Sequence, residues 1–293
     1  MTRRSYRDIR VKAADGLLLH ARSYGDETAP AVVCLPGLAR HGGDFHDLAI
    51  ALTDPEEEPP RHVVAIDYRG RGLSGYDPNP DNYSVPVETG DLLAVLSDLG
   101  IARAIFVGTS RGGIITMGLA ASKPDMVLGA VLNDIGPVLE RAGLLRIKGY
   151  VGKLAQPRDM NEAAGLLEGL FGAQFPNLTD RDWQSWARNT WEEKGGRLIL
   201  TYDPALARTL DPLGPDSEIP DLWPLFDSLK DVPVLLIRGA LTDLLSEQTV
   251  AAMMARHPGL DLVTVPDQGH APLLRGDLIA AIRSFVRRIE SSA

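Results

Sequence analysis

Residues 104 to 121, Ala104-Ile-Phe-Val-Gly-Thr-Ser-Arg-Gly-Gly-Ile-Ile-Thr-Met-Gly-Leu-Ala-Ala121, form the stretch that decides the fold. The apolar run 104–107 predicts a short buried strand, and the almost uniformly apolar run 114–121 predicts a buried helix. Between them, residues 108–112 place one serine between two glycines. This order of strand, tight turn and helix indicates an α/β chain in which Ser110 follows a strand directly.

The Gly-x-Ser-x-Gly pattern in this setting is typical of a nucleophile elbow. Gly108 and Gly112 leave room for a sharp turn that exposes the Ser110 hydroxyl at the sheet edge. The start of the following helix directs unpaired N–H groups and a partial positive charge toward the same point. Because the five-residue pattern also occurs by chance in Gly-rich loops, it is the flanking strand and helix that favour a catalytic serine.

The rest of the chain alternates between short apolar strands and helices. Strands are predicted near 7–13, 17–23, 31–35, 62–66, 127–132, 233–237 and 260–265, and helices near 45–52, 88–99, 248–256 and 273–289. This alternation predicts an α/β fold with a mostly parallel central sheet covered by helices.

Residues 138–229 interrupt the alternation. They show helical periodicity and no convincing strand, and a capping-box pattern at Thr179 predicts a helix start, with Trp183, Trp186 and Trp191 on the helix that follows. We therefore expect a helical lid inserted after the sixth strand. Residues 1–137 and 230–293 would form the core and 138–229 the lid, at the sheet edge where open α/β sheets bind ligands.

Composition narrows the classes of partner. The net charge of −9 over 293 residues argues against nucleic acid or an anionic membrane, both of which favour a basic face. Cys34 is the single cysteine, which fits a reducing compartment. The basic N-terminus is not followed by an apolar segment and no run is long enough to span a membrane, so we expect no signal peptide, no membrane partner and a cytoplasmic protein. A homodimer stays open.

His270 is the histidine best placed to act as a general base for Ser110. A serine hydroxyl is a poor nucleophile unless a base is adjacent, and the base needs an orienting acid. His270 follows a glycine in the loop after the last predicted strand, so we expect it at the same sheet edge as Ser110. A packing or surface role is expected for the other five: His20, His41, His46, His62 and His257.

Two aspartates that follow strands compete for the role of the acid. Asp243 lies in the loop after the 233–237 strand, and Asp134 follows the strand before it. We favour Asp243, because an acid one strand before the histidine is the common arrangement in the order serine, acid, histidine. The alternative for Asp243 is a helix N-cap, since a helix begins nearby.

An oxyanion hole needs two N–H groups that converge on the developing negative charge. The backbone N–H of Arg111 comes directly after the predicted nucleophile. The second is expected from Leu38, which follows Pro36-Gly37 in the loop after the 31–35 strand. In isolation, Pro36-Gly37 would indicate only a turn.

Taken together, these motifs resemble the α/β-hydrolase fold superfamily, in particular its capped serine hydrolases. The resemblance covers about residues 5–137 and 230–293, and it is carried by five motifs in order: Leu35-Pro36-Gly37-Leu38, Asp67-Tyr68-Arg69-Gly70-Arg71-Gly72-Leu73-Ser74, Gly108-Thr109-Ser110-Arg111-Gly112-Gly113, Arg238-Gly239 to Asp243, and Gly269-His270. In the family the second motif is a structural turn. The set is specific for the superfamily and poorly specific for a substrate.

Three departures narrow the chemistry that the resemblance implies. Arg111 stands where C–C hydrolases usually have methionine, and Ala271 stands where hydrolases of ring-cleavage products usually have tryptophan. Ser110 replaces the aspartate of epoxide hydrolases and haloalkane dehalogenases. The prediction is a serine esterase or lactonase acting on a small, fairly apolar substrate, with no metal and no organic cofactor. A C–C hydrolase, an acyltransferase and a receptor-like protein with little turnover stay open.

The lid and the first Gly-rich loop offer candidates for substrate contact. Trp183 and Trp186 lie on an amphipathic helix, where most apolar side chains pack into a core and a few are expected to face a pocket. Arg40 and His41 lie beside the predicted oxyanion loop, where a solvated loop is the alternative.

Overall fold

The computed structural model describes residues 6–56 and 59–291. The prediction that no signal peptide is present depends in part on residues 1–5, which lie outside the described residues. Within the described ranges, no helix combines the length and the apolar character needed to cross a membrane.

The secondary structure follows the predicted alternation over most of the chain. In the described ranges the strands are β1 (Arg7–Lys12), β2 (Leu18–Gly25), β3 (Ala31–Leu35), β4 (His62–Asp67), β5 (Ala104–Thr109), β6 (Val127–Asn133), β7 (Trp191–Lys194), β8 (Arg197–Leu200), β9 (Val234–Gly239) and β10 (Leu260–Val265). The α-helices there are α1 (His46–Leu52), α2 (Val85–Asp98), α3 (Arg111–Ser122), α4 (Arg141–Tyr150), α5 (Met160–Phe171), α6 (Asp180–Thr190), α7 (Trp223–Asp227), α8 (Glu247–Arg256) and α9 (Asp277–Glu290).

Eight strands form one sheet in the order β1-β2-β4-β3-β5-β6-β9-β10. The pairs from β4 to β10 are parallel, whereas β1–β2 and β2–β4 are antiparallel. Every residue of β3, β4 and β9 is buried, as expected for strands that contain runs of four or five apolar residues and are covered on both faces. The prediction of a mostly parallel sheet flanked by helices is confirmed.

Alternate residues of each central strand contribute to two apolar layers. Val33 and Leu35 pack with α2, α3 and α8 on one face, while Val32 and Cys34 pack with α1 and α9 on the other. Because these central strands run parallel, they end at one common edge of the sheet, which brings the loops after β3, β5, β6, β9 and β10 together.

The segment between β6 and β9 differs from its prediction in one respect. It contains α4–α7, but it also contains the antiparallel hairpin β7–β8, so the expectation of no strand there is wrong. Trp191 begins β7 instead of lying on the preceding helix. The three residues after it in the strand are charged, so the strand shows no apolar pattern in the sequence. The Gly195-Gly196 pair, with φ of 61° and 74°, is a hairpin signal that could have revealed the turn.

This segment has an apolar cluster of its own, separate from the two layers at the sheet. Helices α5 and α6 pack together, and Trp183 stacks on Trp186 with ring centroids 5.5 Å apart. Thr179 and Asp182 form the predicted capping box at the start of α6, so that prediction is confirmed.

Candidate active site

Ser110 occupies a strained turn between β5 and α3. Its φ of 52° and ψ of −113° are unusual for a residue with a side chain, and such strain concentrates at functional sites. The flanking glycines make the turn feasible. A Cβ on Gly108 would lie 2.5 Å from the Gly112 carbonyl carbon, and one on Gly112 would lie 2.1 Å from the Leu35 carbonyl oxygen. Ser110 thus stands at the N-terminus of α3 with its hydroxyl facing a cavity.

His270 lies on the loop after β10 and meets Ser110 across the sheet edge. Its Nε2 atom is 2.9 Å from Ser110 Oγ. The loop is held by Asn133, whose Nδ2 donates to the Pro272 carbonyl at 2.9 Å. Because Asn133 is the last residue of β6, the histidine loop is fixed directly to the central sheet.

Asp134 completes a hydrogen-bonded chain with these two residues. Its Oδ2 lies 2.8 Å from His270 Nδ1, and its side chain is fully buried. The backbone N–H of Gly239 donates to Asp134 Oδ1 at 2.9 Å, and Thr242 Oγ1 donates to Oδ2 at 2.5 Å. With Asp134 accepting at Nδ1–H, the imidazole presents Nε2 to the serine as an acceptor. Such a chain can remove a proton from the hydroxyl.

Asp243 does not contact His270, so the expectation that it orients the imidazole is wrong. It forms a bidentate pair with Arg146 of α4, at 2.6 Å to Nε and 2.8 Å to Nη2. Burial opposes its ionisation, but the hydrogen bond and positive charge of Arg146, together with a hydrogen bond from Gln174, outweigh this and lower the pKa of Asp243. The Asp243 carbonyl also accepts from Gly143 N–H at 3.1 Å. This aspartate ties α4 to the sheet.

A cavity of about 550 Å³ opens over Ser110 and His270. Its lining combines the loops at the sheet edge with side chains from the segment between β6 and β9, among them Ile147, Tyr150, Leu154, Leu167, Phe171 and Trp186. Burial raises the pKa of the Tyr150 phenol, which is therefore neutral at pH 7. The cavity is thus largely apolar beside the serine.

The two residues predicted to form an oxyanion hole lie close to the serine in the chain or in space, since a Cβ on Gly37, the residue before Leu38, would lie 3.9 Å from Ser110 Cβ. Leu38 lines the cavity, and Arg111 is the first residue of α3. Neither N–H donates to a protein acceptor among the described residues. The Arg111 side chain turns away, with Nε 2.5 Å from Glu88 Oε2.

A buried charge network stabilises the Leu38 loop. The sequence did not reveal this role. Arg71 Nε donates to the Leu38 carbonyl at 2.8 Å, and Arg71 Nη1 lies 2.6 Å from Glu88 Oε1. Asp67 accepts from Gly42 N–H at 2.7 Å and from His20 at 2.7 Å. The motif 67–74, expected only to turn the chain, therefore also fixes the loop after β3.

The four residues predicted to contact substrate divide into two pairs. Arg40 and Trp186 line the cavity, whereas His41 and Trp183 lie behind its lining, which contradicts the expectation for those two. His41 Nδ1 accepts from Gly43 N–H at 3.0 Å, and its Nε2 lies 2.9 Å from the Asn189 carbonyl. Trp183 is buried against Trp186. His41 and Trp183 therefore support residues that line the cavity.

Among the described residues, no cluster of three or more His, Cys, Asp or Glu side chains is arranged to hold a metal ion.

Comparison with known proteins agrees with the fold. The model of the Alpha/beta hydrolase family matches residues 32–282. An alpha/beta hydrolase of known structure from Novosphingobium aromaticivorans is 40% identical, with a TM-score of 0.89 over 97% of this chain and 99% of that one.

Two further relatives are named as hydrolases of two different substrates. The 3-hydroxybutyrate-oligomer hydrolase of Cupriavidus necator is 34% identical over 265 residues, which span 87% of this chain and 88% of that protein. The 2-(acetamidomethylene)succinate hydrolase of Mesorhizobium japonicum is 27% identical over 257 residues, 87% of this chain and 85% of that protein.

Proposed function

This chain belongs to the alpha/beta hydrolase family and is a hydrolase, and we propose that it is a serine esterase that works through an acyl-enzyme. The observation that carries the proposal is the chain of contacts at the sheet edge, 2.9 Å from Ser110 Oγ to His270 Nε2 and 2.8 Å from His270 Nδ1 to Asp134 Oδ2. A hydroxyl, an imidazole and a buried carboxylate in this order are the parts that acyl transfer to serine requires.

In the first half of the proposed reaction, Ser110 Oγ attacks the ester carbonyl while His270 Nε2 takes the hydroxyl proton. Asp134 holds the imidazole in the tautomer that accepts at Nε2 and stabilises the imidazolium that forms. The amides of Leu38 and Arg111 stabilise the oxyanion, since each has its N–H available. His270 then protonates the departing alcohol, which leaves the acyl group on Ser110.

In the second half, water replaces the alcohol. His270 removes a proton from the water, the resulting hydroxide attacks the acyl carbonyl, and the proton returns to Ser110 as the acid product leaves. We propose that residues 138–229 act as a lid in both halves. Their apolar side chains over the serine keep bulk water away from the tetrahedral intermediates.

For the substrate class, we propose a small carboxylic ester with an apolar chain. The largely apolar wall beside Ser110 supports an aliphatic acyl or alcohol group. Esters of short hydroxy acids fit this class, and the relative named as a 3-hydroxybutyrate-oligomer hydrolase adds support.

Hydrolysis of 4-nitrophenyl butyrate by the purified protein tests the proposal. We expect Ser110→Ala to lower kcat by at least about 10³-fold, since it removes the nucleophile. Ser122→Ala is the matched control, because Ser122 is an exposed serine on the same helix. A fluorophosphonate probe should label the wild type and Ser122→Ala but not Ser110→Ala. Retained turnover in Ser110→Ala would contradict the mechanism, and labelling without turnover would indicate a ligand-binding protein.

A further inference from the structure

We infer that Arg22 forms a carboxylate-binding subsite at the far end of the cavity, so that the preferred esters carry a free acid group remote from the scissile bond. This inference builds on the proposed esterase function and specifies its substrate class. It rests on the contacts of Arg22, on the state of the other arginines in the cavity and on the position of Arg22 in the sheet.

Arg22 lines the cavity as a cation without an acidic partner. No carboxylate of the described residues lies within ion-pair distance of its guanidinium, and its Nε is buried without a hydrogen-bond acceptor. Asp8 stands opposite Arg22 in the β1–β2 register, but its carboxylate binds His20 Nε2 at 2.9 Å. Buried donors in proteins are nearly always paired, so a guanidinium that lines a cavity with an unpaired Nε and no carboxylate partner indicates a ligand acceptor.

Aromatic rings and the sheet hold Arg22 in place. Its guanidinium carbon lies 5.1 Å from the centre of the Tyr6 ring. Burial raises the pKa of the neighbouring Tyr24 to about 12 and the Arg22 charge opposes that rise, so the phenol stays neutral beside it. The Tyr24 hydroxyl is 3.1 Å from His46 Nδ1. The backbone of Arg22 pairs with Ala65 of β4. A guanidinium fixed in this way loses little freedom when it binds an anion.

The other two arginines of the cavity wall are already neutralised. Arg40 binds Asp44 through two contacts, 2.7 Å from Nε and 2.5 Å from Nη2, and Arg275 pairs with Asp182. Only Arg22 among the described arginines of this wall therefore offers its charge to a ligand.

The position of Arg22 sets the length of the ligand. Three strand spacings separate β2 from β5 in the order β2-β4-β3-β5, which is about 14 Å between backbones. The arginine side chain spans part of this distance, so a chain of several bonds is needed between the carboxylate and the ester carbonyl at Ser110. A cavity of about 550 Å³ has room for such a ligand.

The charges of the wall favour a carboxylate over a phosphate. Asp47 is exposed and also lines the cavity, and Asp44 lies nearby in its pair with Arg40. A dianion would be repelled by these acids, whereas a single carboxylate matches the fork of one guanidinium.

Paired esters of equal length test the inference. We would compare mono-4-nitrophenyl suberate, which carries a terminal carboxylate, with its neutral methyl ester. The readout is the ratio of kcat/KM for the two esters, because a general loss of activity cancels in a ratio. We expect the wild type to prefer the carboxylate by about tenfold, the effect of one charge-assisted contact at a half-buried site. Arg22→Met should bring the ratio close to one.

Two further variants separate charge from position. Arg22→Lys should keep part of the preference, since lysine supplies the charge without the planar fork. Arg103→Met removes the same charge at an exposed site away from the cavity and should keep the wild-type ratio. An unchanged preference in Arg22→Met, or no carboxylate preference in the wild type, would overturn the inference.

Binding measured without turnover keeps this test independent of the proposed function. Titration calorimetry on Ser110→Ala, with monomethyl suberate against dimethyl suberate, should show about tenfold tighter binding of the acid, lost when Arg22→Met is added. If neither ester is hydrolysed, the esterase proposal fails and the calorimetry still decides the role of Arg22. If the neutral ester is hydrolysed through Ser110 and the acid is not preferred, only the Arg22 subsite fails.

Discussion

The Nδ1 atom of His270 lies 2.8 Å from Oδ2 of Asp134, the residue that directly follows β6. The strand β9 lies between β6 and β10, so the histidine loop reaches over the end of β9 to meet this aspartate. Gly239 at the end of β9 donates its N–H to the same carboxylate. The acid is therefore held in part by the backbone at the end of the neighbouring strand.

Asparagine substitutions at the two competing aspartates should have very different effects. Asp134→Asn should lower kcat by about 10³-fold or more, because an amide facing Nδ1 favours the wrong imidazole tautomer. Asp243→Asn should change kcat by less than about fivefold, because Asp243 binds Arg146. Hydrolysis of 4-nitrophenyl butyrate measures both. A loss in Asp243→Asn as large as that in Asp134→Asn would contradict the assignment of the acid.

Thr242 should act as a positioning residue for the acid. Its Oγ1 donates to Asp134 Oδ2 at 2.5 Å and accepts from Leu244 N–H at 3.2 Å. Thr242→Val removes the donor with little change in volume, so we expect kcat to fall about tenfold while KM stays within about twofold. Thr242→Ser keeps the hydroxyl and should retain most of the wild-type kcat. Equal losses in the two variants would show that the methyl group, and not the hydrogen bond, matters.

Two glycines of α3 should respond in opposite directions to alanine. A Cβ on Gly112 would lie 2.1 Å from the Leu35 carbonyl oxygen, whereas one on Gly118 meets no atom within 4 Å. Gly112→Ala should therefore lower the free energy of unfolding by about 3 kcal/mol, the range of severe overpacking. Gly118→Ala should raise it by about 0.5–1 kcal/mol, the helix preference for alanine. Urea unfolding measures both, and similar values would contradict the packing at the elbow.

Protonation of His41 should destabilise the fold in mild acid. Burial lowers the pKa of the His41 imidazole below its ordinary value of 6.5. Between the two values the unfolded chain binds a proton that the folded chain does not, so stability falls as pH drops below about 6.5. A proton on Nδ1 would also break the bond from Gly43 N–H.

His41→Asn keeps an acceptor at this N-cap and removes the titration. We therefore expect a smaller difference in unfolding free energy between pH 7.5 and pH 5.5 for this variant than for the wild type. His62, whose pKa burial also lowers, titrates in both proteins, so the comparison isolates His41. Identical pH dependence in the two proteins would rule out this role of His41.

Local sequence was sufficient for those parts of the protein that depend on neighbours along the chain. The apolar strand 104–107 and the two glycines around Ser110 already specify the elbow, because the turn is made within five residues. The apolar runs 31–35, 63–66 and 234–237 within β3, β4 and β9 identify strands covered on both faces. His270 could also be predicted from the sequence, because it follows the last strand of a sheet whose loops share one edge.

Contacts between distant segments decided the rest. Asp134 and Asp243 both follow strands that end at the same edge. Their roles differ because the histidine loop brings His270 to Asp134, while Asp243 forms an ion pair with Arg146. Arg22 is an ordinary polar residue of an outer strand until folding places it in the cavity that contains Ser110. Periodicity reports which face of an element is buried. The partner that a charged side chain meets depends on three-dimensional packing, which local sequence does not encode.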